Sequence, residues 1–125
     1  MLRTCPPIAF VSTTDSERAR AFYEGVLGLA FVEDQGFALV FDLAGTMLRV
    51  TRVDRLEPQP FTVLGWRVDD AEAAVRELTG RGVVFDRHDG LGQDALGVWR
   101  SPSGGRIAWF RDPDGNVLSI TSFDR

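Results

Sequence analysis

The sequence has one cysteine, Cys5, and one histidine, His88, in 125 residues. A lone cysteine excludes an intrachain disulfide, and no charged-then-apolar leader precedes it, so cytoplasmic residence is the expectation. Cys5 stands beside Pro6-Pro7 near a terminus, with nothing in the sequence to mark it as a reactive thiol. A single imidazole on a loop reads as a solvated surface residue. Composition is equally plain: 44% hydrophobic and 26% charged residues is ordinary globular usage, so neither disorder nor a membrane span is suggested. Formal net charge is −4 and the arginines are scattered without a basic cluster, which argues against nucleic acid or an anionic membrane as partner. The length suits one domain with one shared core.

What is present is a repeat. Asp112-Pro-Asp-Gly115 is a strong turn signal, because proline presets one backbone angle and glycine accepts a positive φ. The strand after it, Gly115-Asn-Val-Leu-Ser-Ile-Thr121, aligns without gaps on Gly45-Thr-Met-Leu-Arg-Val-Thr51. Upstream, Thr13 to Gly25 aligns on Val68 to Gly80, each stretch opening with a helix start signal, Thr14-x-x-Glu17 and Asp69-x-x-Glu72. With one residue dropped, Gly28 meets Gly82 and Phe31 meets Phe85. The chain is one module written twice.

Periodicity fills in the modules. Ile8 to Thr13 alternates as a strand, and a helix from Asp15 to about Val26 buries Ala19, Phe22, Tyr23, Val26 and Leu27, with Gly28 placed to end it. Strands come next at 29–33, 37–43 and 47–53, so module one spans about 7–53 as βαβββ. Residues 54–60 read as a linker. Module two, about 61–125, has a strand at 61–68, a helix from Asp70 to Thr79 and a strand at 83–87. Asp89 to Gly97, with three glycines and few anchors, reads as a mobile loop or a lid, and Val98 to Arg100 as a short strand before the strands 106–111 and 116–123.

A duplicated βαβββ module closing on Phe110-Arg-Asp-Pro-Asp-Gly-Asn116, with Phe22-Tyr23-x-x-Val26-Leu27-Gly28-Leu29 at the first helix-to-strand junction, resembles the vicinal oxygen chelate superfamily. That superfamily includes glyoxalase I, bleomycin-resistance proteins and extradiol dioxygenases. The resemblance implies an α+β fold in which eight strands form an incompletely closed barrel-like sheet with helices on the convex side. Its enzymes hold a divalent metal at four strand positions that fall here on Ile8, Arg49, Val63 and Ser119. Ile8 and Val63 have no donor atom, Arg49 is a cation and a lone Ser119 hydroxyl is a weak ligand, so no metal and no other cofactor is expected.

For those four positions to hold the superfamily's metal they must point inward, and alternation then groups Ile8, Phe10 and Ser12 with Met47, Arg49 and Thr51, with Val63, Gly65 and Arg67, and with Val117, Ser119 and Thr121. Gly65 leaves room on that face, and the face holds no Asp, Glu, His, Lys or Cys. Arg49 is its most informative member, since an inward arginine needs a ligand's anionic group, an internal partner such as Asp42, or a route to water. Arg67 lies nearer a strand end. Trp99 and Trp109 each offer an indole's flat apolar face and one donor, and Trp99, beside the loop, can present it to an aromatic ligand, to packing or to a dimer contact.

Ile8, Phe10, Arg49, Val63, Arg67, Trp99 and Ser119 are therefore the candidate ligand-binding residues, and no catalytic residue is assigned. The reading is a metal-independent protein that sequesters an apolar or aromatic small molecule, which Arg49 allows to be anionic, in the cavity between the modules. The resemblance implies a homodimer. Two alternatives stay open: a glyoxalase-like or dioxygenase-like lyase or isomerase with a metal or acid-base site not recognisable here, and an interaction module whose cavity is filled.

Overall fold

A computed structural model describes residues 1–124, which divide into two compact units, Met1–Glu57 and a second beginning at Pro58. After a short 3-10 turn at Leu2–Thr4, unit one runs β1 (Ile8–Thr13), α1 (Ser16–Arg20) continued by a π-helix (Ala21–Val26), β2 (Ala30–Asp34), β3 (Ala38–Leu43) and β4 (Thr46–Arg52). Unit two runs β5 (Thr62–Arg67), α2 (Ala71–Gly80), β6 (Trp99–Arg100), β7 (Gly105–Arg111) and β8 (Val117–Phe123). The sheet orders are β1-β4-β3-β2 and β5-β8-β7-β6, in each case with the first pair parallel and the others antiparallel. The architecture is the α+β arrangement of two related modules, each sheet open. Among the described residues no helix is long and apolar enough to cross a membrane.

Both helices start one residue later than the sequence signals suggest. The caps are Asp15, which accepts from the Arg18 amide at 3.1 Å, and Asp70, which accepts from the Ala73 amide at 3.1 Å. Both aspartates keep extended backbone, φ −146° and −142°, so the helical turn begins only after them. The Ala73 amide is the main cause holding the Asp70 carboxyl below its usual range. The first helix also departs from the expected α-helix: the Leu27 amide reaches five residues back to the Phe22 carbonyl at 2.9 Å, as in a π-turn, and Gly28 then ends it at φ 73°.

Each unit buries one sheet face under its helix. In unit one α1 lies on β3 and β4, and Ala19 and Tyr23 are buried with Val11, Phe41, Leu48 and Val50. In unit two α2 lies on β7 and β8, and Ala71 and Val75 are buried with Ala108, Phe110, Leu118 and Ile120. Trp66 stacks on Phe110 with ring centroids 6.4 Å apart. Burial of side chains this size is worth about 1.5–3 kcal/mol each, so these clusters carry the units.

One expected strand is absent. Residues 83–87 meet β7 through an isolated bridge, Phe85 to Phe110, and a hydrogen bond from the Asp86 amide to the Trp109 carbonyl at 2.7 Å. The chain then leaves the sheet and returns at Trp99, opposite Ile107. One edge position beside β7 is thus filled by two segments, and residues 87–98 loop out between them.

That loop is also better anchored than its glycines suggest. The Gln93 side chain accepts from the His88 amide at 2.7 Å and donates to the carbonyls of Asp86 at 3.0 Å and Gly97 at 2.8 Å. Arg87 donates to the Asp94 and Ala95 carbonyls, both at 2.7 Å, and Asp94 accepts from the amides of Leu96 and Val98 at 2.9 Å.

Candidate functional site

In unit one the face opposite α1 gathers three of the candidate residues. Phe10 is the register partner of Arg49, and Ile8 that of Met47. Phe10 is 58% exposed and Ile8 44%, so this is an apolar surface with one cation in it. Arg49 does not pair with Asp42, whose carboxylate instead accepts from the Gly45 amide at the β3–β4 turn. Its guanidinium carbon is 5.8 Å from the centre of the Phe37 ring, and its Nε is buried with no hydrogen-bond partner.

In unit two the alternation is broken at β5. The register moves from Thr62 opposite Val117 to Leu64 opposite Leu118, so Val63 is the extra residue of a bulge and Thr62 takes the place beside Val117. Gly65 stands opposite Ser119, but the room it leaves is taken: a Cβ on Gly65 would lie 2.8 Å from the Ser119 Oγ. Ser119 is itself buried, at 7% exposure. Arg67 is exposed and rests its guanidinium 5.0 Å from the centre of the Phe123 ring. Of the four unit-two candidates, Trp99 lines an open concavity of that unit.

That concavity measures about 430 Å³. Val117 forms its floor, flanked on the same face by Thr62 and Arg111, its partners in register. Trp109 lies two residues before Arg111 and therefore on the same side of β7. Trp99 closes beside it, the two indoles 6.0 Å apart and inclined at 33°. Pro60 and Phe61 border it ahead of β5, and His88 and Leu91 come from the loop that splits the sheet edge. His88 meets Trp109 edge-on at 5.5 Å. Asp86 completes the wall, accepting from the Arg111 Nε at 2.9 Å.

The sequence reading considered Trp109 beside Trp99 without placing it in the site, and it left out Arg111, Asp86 and His88. The signal for Trp109 and Arg111 was available: alternation along Arg106 to Arg111 puts Ile107, Trp109 and Arg111 on the side of Ser119, their antiparallel neighbour. Asp86 and His88 depended on where the edge strand breaks, which no periodicity marks. The face grouped by alternation carries no acid or imidazole, whereas this concavity is bordered by both, Asp86 and His88.

Residues 7–120 match the profile of the Glyoxalase/Bleomycin resistance protein/Dioxygenase superfamily. The chain belongs to that superfamily. Solved members share its fold across nearly the whole length of the chain. The glyoxalase/bleomycin resistance protein/dioxygenase superfamily member from Sphaerobacter thermophilus is 25% identical, with a TM-score of 0.76 over 98% of this chain and 99% of that one. The glyoxalase/bleomycin resistance protein/dioxygenase from Alicyclobacillus acidocaldarius gives 17% identity and 0.74 over 98% and 93%. The fosfomycin resistance protein FosX from Listeria monocytogenes gives 16% and 0.71 over 94% and 92%. No curated protein matches the chain in sequence.

The glyoxalase/bleomycin resistance superfamily's metal is not matched by donors here. Ile8, Arg49, Val63 and Ser119 supply no carboxylate, imidazole or thiolate between them. Elsewhere among the described residues, no three His, Cys, Asp or Glu side chains gather closely enough to hold an ion. The donor set does not fit a divalent cation.

Proposed function

We propose that this protein binds a small aromatic molecule in the concavity of unit two, without a protein-bound metal. The observation that carries the reading is the Trp99–Trp109 pair, two indoles 6.0 Å apart on the wall of a space of about 430 Å³. That volume lies within the range of small-molecule pockets, and flat apolar walls with few polar groups favour a planar guest. Phe61, Leu91 and Val117 supply the remaining apolar surface. The donor chemistry at Ile8, Arg49, Val63 and Ser119 supports metal independence. In this reading the protein acts in the cytoplasm as a homodimer, as the superfamily resemblance suggests.

Native mass spectrometry with elemental analysis tests the metal-free part. Protein purified without chelator, then supplied in turn with zinc, nickel, iron, manganese and cobalt, is expected to carry none stoichiometrically; one bound ion per chain would overturn it. Tryptophan fluorescence during titration with planar aromatics tests the site. Quenching that is saturable, and at least tenfold weaker in Trp99→Ala, is the expected result. Sedimentation equilibrium decides the oligomer, a monomer at micromolar concentration counting against the dimer.

A further inference from the structure

Resting on that reading, we infer that the ligand is an aromatic anion, a ring bearing a carboxylate or a group of like shape and charge, and that Arg111 rather than Arg49 receives the charge. Among the described residues, Arg111 is the only arginine or lysine lining the concavity. Its one ion pair among the described residues, to Asp86, uses Nε at 2.9 Å and leaves both Nη groups without a protein partner. A guanidinium presents a second, parallel pair of donors along its Nη edge, and that edge matches a carboxylate bidentately. The arginine side chain is 50% exposed, so the ligand's charge need not be fully desolvated to reach it.

Position supports the pairing of ring and charge. Trp109 and Arg111 are alternate residues of one strand, so their side chains rise from the same face about 7 Å apart, the spacing of an aryl ring stacked on one and its carboxylate held by the other. Asp86 is the competing feature, since a carboxylate beside two indoles and an imidazole would attract an aromatic cation. Its Oδ2 is already committed to Arg111 and its side chain is 24% exposed, half the exposure of the arginine. The accessible charge is the positive one.

The test uses three naphthalenes of nearly equal shape on the intact chain: 2-naphthoate, 2-naphthamide and 2-naphthylmethylammonium, each titrated by tryptophan fluorescence and by ligand-observed NMR. Naphthoate is expected to bind at least tenfold more tightly than either of the others. Arg111→Leu should remove that preference, weakening naphthoate at least tenfold and naphthamide by less than twofold. Equal binding of naphthoate and naphthamide would overturn the anion assignment while leaving an aromatic-binding protein. A preference for the ammonium would assign the site to Asp86 and likewise overturn it. Failure of all three at millimolar concentration would overturn both this inference and the function it rests on. The comparison among ligands on the unaltered protein stands even if Arg111→Leu does not fold.

Discussion

The two units share sheet order, strand direction and cap position, and they part at the edge strand beside the central hairpin. In unit one β2 runs along β3 with a single irregularity between Phe31 and Glu33, which leaves Val32 57% exposed. In unit two the corresponding edge is cut: Phe85 bridges Phe110, residues 87–98 depart, and Trp99 resumes the pairing. The aromatic anchor is the same in both, Phe31 on Phe41 at 5.5 Å and Phe85 on Phe110 at 5.4 Å. Along this edge the units diverge beyond that anchor. A bulge adds twist; an excursion adds a wall, and here the wall brings His88, Leu91 and Trp99 to one side of β7. Duplication supplied a frame, and lengthening one copy at its edge gave that copy a concavity.

The largest test of the comparison lies at the matched turns. In unit two Asp112 is 5% exposed, and its carboxylate accepts from the amides of Asp114 at 3.0 Å and Asn116 at 2.9 Å and from the Asn116 side chain at 2.8 Å. In unit one Asp42 is exposed and accepts from the Gly45 amide at 3.1 Å. Asp112→Ala strands buried donors and is expected to cost about 3 kcal/mol, whereas Asp42→Ala should cost about 0.5–1 kcal/mol. Urea unfolding measures both. Equal losses would mean that burial of the second turn adds nothing to its hydrogen bonds.

Next in size is the loop itself. Gln93 makes three of its hydrogen bonds from one amide group, so Gln93→Ala is expected to cost about 1–2 kcal/mol and to do so locally. Hydrogen exchange should accelerate at residues 88–98 and stay unchanged in β2 and β3. Acceleration in both units alike would show that the loop is not an independent addition to the shared frame.

Legibility in the sequence divides along the same line. Gly28, Gly45 and Gly115 all take the positive φ that their turns require, at 73°, 97° and 89°, and alternation from Ile8 to Thr13 and along β4 gives the right faces. Those features are local and were written twice, so each copy checked the other. The π-turn ending at Leu27, the bulge at Val63 and the cut edge at Asp86 are absences of period, set by packing against neighbours distant in sequence. The site depends on the last two. Alternation carried past Val63 keeps it beside Val117, and the anchors of the loop, Gln93 and Asp94, look like ordinary loop residues until their partners are placed.

A smaller effect separates the units by pH. In unit one Arg52 grips the Asp34 carboxylate with both Nη groups, at 3.0 and 2.8 Å, and also donates to the Gly36 carbonyl. The Arg52 hydrogen bonds, and after them the Gly36 amide, lower the Asp34 pKa from 3.8 to about 2. A carboxylate with a lowered folded value favours the native state above 3.8, and that contribution disappears as the pH falls through about 2. The pair is solvent-exposed, so the change is modest. Thermal melts between pH 5 and 2 should therefore fall less steeply in Asp34→Asn than in the unaltered protein. Parallel slopes would remove Asp34 as a source of acid sensitivity.

The smallest effect is one of sign. The two-residue turn between β3 and β4 places Ala44 at φ 50° and Gly45 at φ 97°. Hairpin turns with both central residues at positive φ favour Asn-Gly, because asparagine tolerates the left-handed region better than residues with a plain Cβ. Alanine there carries strain of about 1 kcal/mol. Unit two has no such strain at its longer turn, where Gly115 takes the positive φ and Pro58 packs so close that a Cβ would lie 3.0 Å from its Cγ. Ala44→Asn is therefore expected to stabilise the protein by about 0.5 kcal/mol, a gain read as a higher urea midpoint at unchanged slope. A lower midpoint would mean that the Asp42–Gly45 bond already holds the turn without cost to Ala44, and the strain would then not distinguish the two turns.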